Sequence, residues 1–187
     1  MLKGSASRVA LLAAALMMFV GVTEASAGVP PMLRSGTHPW FATFNFGPAI
    51  KMKTAPTQFK IGQEVGYHLW GRSDGPAIGG SLEESFGDSV FTFNLSGKFW
   101  WDIQVVRGLS LYLTPSGRFG FIHANAEGNG GAFNGMSLAL GFEARLIIGN
   151  RGLVFFRPFG LDFMIGDGFG YNFLARYEMM FGGGATF

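Results

Sequence analysis

Three observations on this sequence point to an all-β fold. Charged residues make up only 14% of the 187-residue chain, which carries 30 glycines and 21 phenylalanines; a soluble domain typically has about 25% charged residues. After the first 27 residues, no apolar run approaches the roughly 20 residues of a membrane helix. In the final stretch, large apolar residues take every second position: Phe169, Tyr171, Phe173, Tyr177, Met179, Phe181 and finally Phe187. Much hydrophobicity without long runs, spaced with a period of two, describes strands with one apolar and one polar face. The expectation is an all-β, eight-stranded antiparallel up-and-down transmembrane β-barrel, apolar outside and polar inside.

Residues 1–27 read as a removable signal peptide. Lys3 and Arg8 form a positive start, Val9–Val22 an apolar run, and Ala25-Ser26-Ala27 a small-x-small cleavage site. The apolar run is too short for an ordinary membrane anchor. Residues 28–39 hold three prolines and no pattern, so they read as a periplasmic lead-in, with the barrel over 40–187. There is no cysteine, so an exported domain must be held by other means, such as a backbone ladder closed on itself. Removing Lys3, Arg8 and Glu24 leaves 12 basic and 11 acidic residues. Neither net charge nor any basic cluster suggests nucleic acid.

The strands follow in order. Trp40–Ile50 is the first, and Lys51–Gln58 with Pro56 reads as a loop. The second, Phe59–Trp70, keeps its alternation apart from Gln63, a polar residue on the apolar face; Gly71–Pro76 is a dense turn signal. The third, Ala77–Ser85, holds adjacent Glu83 and Glu84, one of which must break the pattern. The fourth is Ser89–Gln104. The fifth runs from Leu109 to about His123, with a bulge or break expected at Pro115, which lacks a ladder donor. Ala124–Gly135 reads as the longest glycine-rich loop. Met136–Ile148 is the sixth strand. The seventh, Leu153–Ile165, puts Phe155, Phe159, Leu161 and Phe163 on one face with Arg157 out of place among them. Pro158 beside it suggests a bulge that re-aims Arg157. Phe169–Phe187 closes the set. Eight strands place both termini at the periplasmic end.

Strict alternation puts Lys60, Lys98, Arg118, Arg145 and Arg176 inside, against Glu64, Asp102, Glu143, Asp162 and Glu178. An eight-stranded barrel is only wide enough to fill with side chains, and unpaired buried charges are costly. A balanced set therefore predicts a lumen plugged by ion pairs. His68 shares the inner face with Glu64; a packed polar network accounts for the pair more simply than a metal site or a proton relay. All four tryptophans fall near the periplasmic rim, where a membrane girdle would lie. Trp70 and Trp100 have inward parity, which leaves Trp40 and Trp101 as the lipid-facing girdle. No cofactor or metal is expected.

With its signal peptide, eight alternating strands, short turns and terminal aromatic, the chain resembles the small outer-membrane β-barrel superfamily of OmpA-like, OmpX-like and OmpW-like proteins. Gly182, Ala185 and Phe187 resemble that family's C-terminal assembly signal, although Ala185 is small for its position. The resemblance implies recognition by the barrel-assembly machinery, residence in the cell outer membrane and contact with its lipids. It identifies an architecture rather than an activity. Lipid A deacylases share this scaffold and use a His–Ser–Glu set. His123 lies at the outer end of the fifth strand, but Ala124-Asn125 follow it without the expected serine, and Ser137 and Glu127 are near only in sequence. The reading is a monomeric, non-enzymatic barrel with a structural or interactive role. The alternatives are a narrow channel for small solutes in the OmpW-like manner, a lipid-modifying enzyme and a soluble lipocalin-like carrier.

Overall fold

A computed structural model of the chain describes residues 38–106, 110–126, 131–149, 151–168, 170 and 172–187. The expected signal peptide, the lead-in up to residue 37, and Glu127, Phe169 and Tyr171 lie outside the described residues. Eight strands follow one another: β1 (Trp40–Lys53), β2 (Gln58–His68), β3 (Gly75–Gly87), β4 (Val90–Val106), β5 (Leu111–Ala126), β6 (Ala132–Ile148), β7 (Gly152–Asp167) and β8 (Phe173–Thr186). Each pairs antiparallel with the next, and β8 returns to pair with β1, so the sheet closes as a barrel. Trp40 and Phe187 exchange backbone hydrogen bonds at 3.1 and 2.9 Å, completing the seam at the end that carries Trp40 and Phe187. This is called the proximal end below, and the opposite one the distal end.

Alternation sorts the side chains as expected. Phe46, Leu95, Phe119, Leu140, Phe159 and Phe181 are among the many large apolar residues exposed on the outer wall. Some run across strands in ring contact, as in Phe46–Phe59 at 6.5 Å and Phe59–Phe86 at 6.0 Å. Near the proximal end, Trp40 packs on Tyr67 at 4.9 Å and Trp101 on Phe99 at 6.4 Å. Trp70 departs from its expected inward parity. It lies past the last residue of β2, is exposed, and meets Trp101 edge-on at 6.3 Å; parity has no meaning once the strand has ended. Trp100 is fully buried inside.

Several boundaries move. β1 continues to Lys53, into the stretch expected to be a loop. The described residues of the expected long loop Ala124–Gly135 are mostly strand, with Asn125 opposite Ala132 and Ile122 opposite Gly135. Gly135 is there for closeness rather than for turning. A Cβ on Gly135 would lie 2.3 Å from the Ile165 carbonyl oxygen across the β6–β7 ladder. No register shift occurs at Pro115: the β4–β5 ladder passes from Trp100↔Ser116 to Ile103↔Leu113 in one register. The missing donor leaves a gap in that ladder without adding a residue.

The extra residue is in β7. Phe142 faces Phe159 and Ala144 faces Phe156, while Arg157 faces Met180 and Gly160 faces Glu178. β7 thus carries one residue more than either neighbour between Arg157 and Gly160, which is a β-bulge. It reverses the parity of the strand. Phe155, expected outside, is buried inside together with Arg157, and beyond the bulge Asp162 and Met164 take the inner face. The Tyr177 hydroxyl donates to the Pro158 carbonyl at the bulge.

The Gly182-Gly183-Gly184 run lies where β8 meets both β7 and β1. A Cβ on Gly184 would come within 1.9 Å of the Ala42 carbonyl oxygen, and one on Gly182 within 2.4 Å of the Phe155 ring. At Gly183 the nearest atom is 3.2 Å away. Gly184→Ala should therefore lower the temperature at which the folded barrel loses its compact gel mobility, and Gly183→Ala should change it much less.

Candidate functional site: the barrel interior

The inner residues form layers along the axis. The proximal layer is apolar and aromatic. Phe41, Ala77 and Trp100 form a buried cluster, with the Phe41 and Trp100 rings edge-on at 5.1 Å. The distal layer is also apolar: Ala55, Ile122, Ala124, Phe133, Met164 and Leu174, with Val90 against them. Between the two lie six cationic side chains, Lys60, Lys98, Arg118, Arg145, Arg157 and Arg176, and six carboxylates, Glu64, Glu83, Asp102, Glu143, Asp162 and Glu178, all buried.

These charges divide into two groups, each with three cations and three carboxylates. In the distal group, Lys60 binds Glu83 at 2.9 Å and Asp162 at 3.5 Å, and also Glu178. Arg118 binds Asp162 at 3.2 Å and Glu178 at 3.1 Å, and also Glu83. Arg176 binds Asp162 at 2.9 Å and donates to the Gln58 side-chain oxygen at 2.6 Å. In the proximal group, Lys98 binds Glu64 at 2.6 Å and Glu143 at 3.1 Å. Arg157 reaches Glu64 at 3.1 Å and Glu143 at 2.5 Å. Arg145 holds Glu143 at 2.9 Å and Asp102 at 3.4 Å. Asp102 also accepts from the Thr114 hydroxyl at 2.5 Å and lies 2.8 Å from His68 Nε2. Burying any one of these charges alone would cost several kcal/mol. Within each group every charge has two or more counter-charges or hydrogen bonds.

Aromatic rings join the proximal layer to the proximal charges. The Lys98 ammonium lies 4.8 Å from the Trp100 ring centre. The Arg145 guanidinium lies 5.1 Å from Phe41 and 5.7 Å from both Trp100 and Phe155. These are cation–π distances. A ring of neutral hydrogen bonds separates the distal charges from the distal apolar layer. Thr92 donates to Gln58 at 3.0 Å, Gln58 donates to the Val90 carbonyl at 2.8 Å, and Asn94 donates to Ser137 at 2.7 Å.

All ten charged residues placed inside by alternation point into the barrel, and the fold brings each to a counter-charge. His68 is inside too, but its partners are Asp102 and, through Nδ1, the Pro39 carbonyl at 3.1 Å. Glu64 belongs to Lys98 and Arg157 instead. Two members were missing from the inner set. Arg157 is brought inside by the bulge. For Glu83 the signal was present: Ile78, Leu82 and Phe86 share one parity, which places Glu84 outside and Glu83 inside. Of the girdle residues, Trp40 and Trp101 are exposed on the outer wall.

Other candidates are not assembled. His123 hydrogen-bonds Asn134 at 2.8 Å near the distal rim, whereas Ser137 is fully buried inside on Asn94. Histidine and serine are thus on opposite faces of the wall. Among the described residues no cluster of metal-ligating side chains occurs.

Glu143 contacts Lys98, Arg145 and Arg157. Glu143→Ala would leave three buried cations sharing only Glu64 and Asp102 and should cost about 3–5 kcal/mol of stability, read from urea unfolding in lipid vesicles. Adding Lys98→Met to that variant should recover part of the loss.

No protein-family model matches the chain, and no curated protein sequence does. Solved structures do match. Neisserial surface protein A aligns with a TM-score of 0.64 at 8% identity, over 81% of this chain and 97% of that one. The N-terminal β-barrel domain of Pseudomonas aeruginosa OprF aligns with a TM-score of 0.56 at 17% identity, over 80% and 98%. The chain therefore has the fold of the small eight-stranded outer-membrane β-barrels.

Proposed function

We propose that the protein is an integral outer-membrane barrel whose interior is closed to ions and whose role is structural or interactive rather than catalytic. The observation that carries this reading is the layering of the interior: two charge-neutral cages stacked between two apolar layers. An ion entering such a lumen would have to displace paired charges, and water would have to cross Phe41 and Trp100 at one end and Phe133 and Leu174 at the other. The outer wall supports the membrane placement, because its exposed phenylalanines and leucines match hydrocarbon and Trp40, Trp70 and Trp101 suit an interfacial belt. On this reading outer-membrane lipids are the constant partner, and residues 1–27 direct export.

A narrow channel for small solutes is the second reading, and one observation favours it. Thr43, Asn45, Glu64 and Ser81 carry buried polar atoms with no hydrogen-bond partner among the described residues. They lie together on β1, β2 and β3, with Thr43 opposite Glu64 and Glu64 opposite Ser81. Such a strip calls for water. Planar-bilayer recording separates the two readings. The closed reading expects no steady conductance from the wild-type protein and measurable conductance after Lys98→Glu, which puts three carboxylates together. Steady wild-type conductance would favour the channel.

Gly182, Ala185 and Phe187 fit a signal read by the barrel-assembly machinery. The Phe187 ring is exposed, and its contribution to the seam is made by backbone alone. Deleting Phe187 should reduce the yield of inserted barrel more than it lowers the unfolding midpoint of the barrel that does insert; an unchanged yield would remove the assignment.

A further inference from the structure

Two polar side chains break the apolar outer wall between its rims. Gln63 is exposed at the middle of β2, between Phe44 of β1 and Leu82 of β3. Glu84 is half-buried on β3, between Ile61 and Phe93 and one outward position short of Phe86. Neither side chain has a hydrogen bond or ion pair among the described residues. In hydrocarbon an amide or carboxyl without a partner is costly.

The register aligns them. A paired row that starts at Asn45 runs through Gly62, Glu83, Asn94, Ile122, Gly135 and Gly166. Gly166 is already near the distal end of β7, so rows climb toward the distal end with strand number. Strands in such barrels tilt by about 40°, lie about 4.8 Å apart and rise about 3.3 Å per residue. Glu84 is one strand over and two residues up from Gln63, so it lies about 8 Å directly distal to it. The same step in reverse reaches Ala42. Ala42, Gln63 and Glu84 thus form a line parallel to the barrel axis.

We infer that this line is the seam of a two-fold dimer formed by a second copy of the chain, an inference that rests on the membrane placement proposed above and departs from the monomer expected from sequence. Two copies inserted in the same direction can be related only by a two-fold axis along the membrane normal, which sets each residue of an axial line opposite itself. Amide and carboxyl are the side chains that suit that position. An amide both donates and accepts, so Gln63 pairs with its own counterpart. Two facing carboxyl groups pair through a shared proton. Ala42 beneath them is small enough to let the walls approach. A cationic partner would satisfy Glu84 and leave the amide no reason to be aligned with it.

The chain has no cysteine, so a single introduced one reports contact. Ala42→Cys in reconstituted vesicles should give an oxidation-dependent covalent dimer. Leu140→Cys, exposed on β6 across the barrel, should not. Adding Gln63→Leu or Glu84→Leu to Ala42→Cys should each weaken dimer formation about fivefold, the scale of one intramembrane hydrogen bond, and Glu84→Gln should preserve it. Equal yields at the two cysteine positions, or a dimer indifferent to both leucine substitutions, overturns the inference. Stepwise photobleaching of labelled wild-type protein in sparse vesicles gives an independent count: two steps support the dimer and single steps overturn it. Insertion is read separately from heat-modified gel mobility, so failure of the membrane placement is distinguished from failure of the dimer.

Discussion

A sheet whose outer surface is almost wholly apolar cannot leave an edge of unpaired N–H and C=O groups, and nearly everything else in this barrel follows from that constraint. Closure is the solution: β8 returns to β1, and Phe187 exchanges its backbone bonds with Trp40. With eight strands, closure leaves an interior only wide enough for side chains. The inner faces then have to fill that volume and neutralise themselves. The same constraint accounts for the glycines of β8, since Gly184 must admit the β1 backbone where the seam closes.

The filling divides by chemistry along the axis. Charges occupy the middle, where each can be surrounded by others from different strands. Apolar residues take the two ends. Glu143 of β6 gathers Lys98 of β4 and Arg157 of β7, while Glu178 of β8 gathers Lys60 of β2 and Arg118 of β5. Because each group is neutral by itself, neither depends on the other for compensation. The cation–π contacts of Arg145 with Phe41, Trp100 and Phe155 explain how an aromatic layer can border a charged one without an abrupt change in polarity.

The sequence disclosed what depends on period two. Strand number, the direction of most faces and eleven of the twelve inner charges, Glu83 included, are readable from alternation alone. What it concealed depends on local departures from that period. The bulge in β7 costs one residue and reverses the strand, so Phe155 and Arg157 both changed sides. Pro158 marked the place and the re-aiming of Arg157, but not that Phe155 would turn inward with it. Gly135 suggested a turn and instead serves close strand approach, a distinction that needs the opposing backbone. Pairing partners were out of reach for the same reason: His68 sits four residues from Glu64 in sequence, yet Asp102, brought over from β4, holds it.

The distal cage also bears on how the barrel is made. Lys60 and Glu178 are 118 residues apart in the chain, and Lys60 and Asp162 are 102 apart. Contacts of such separation form late, because the loop entropy must be met before they return anything. Until β8 docks, Lys60 and Arg118 retain only Glu83 and Asp162 of their set; because β8 brings Arg176 together with Glu178, the open intermediate is neutral here but each of its buried charges has fewer partners. That intermediate is disfavoured electrostatically as well as by its unpaired edges. Opening the barrel again would break these ion pairs first, which makes a high barrier to unfolding a consequence of where Arg176 and Glu178 fall in the chain.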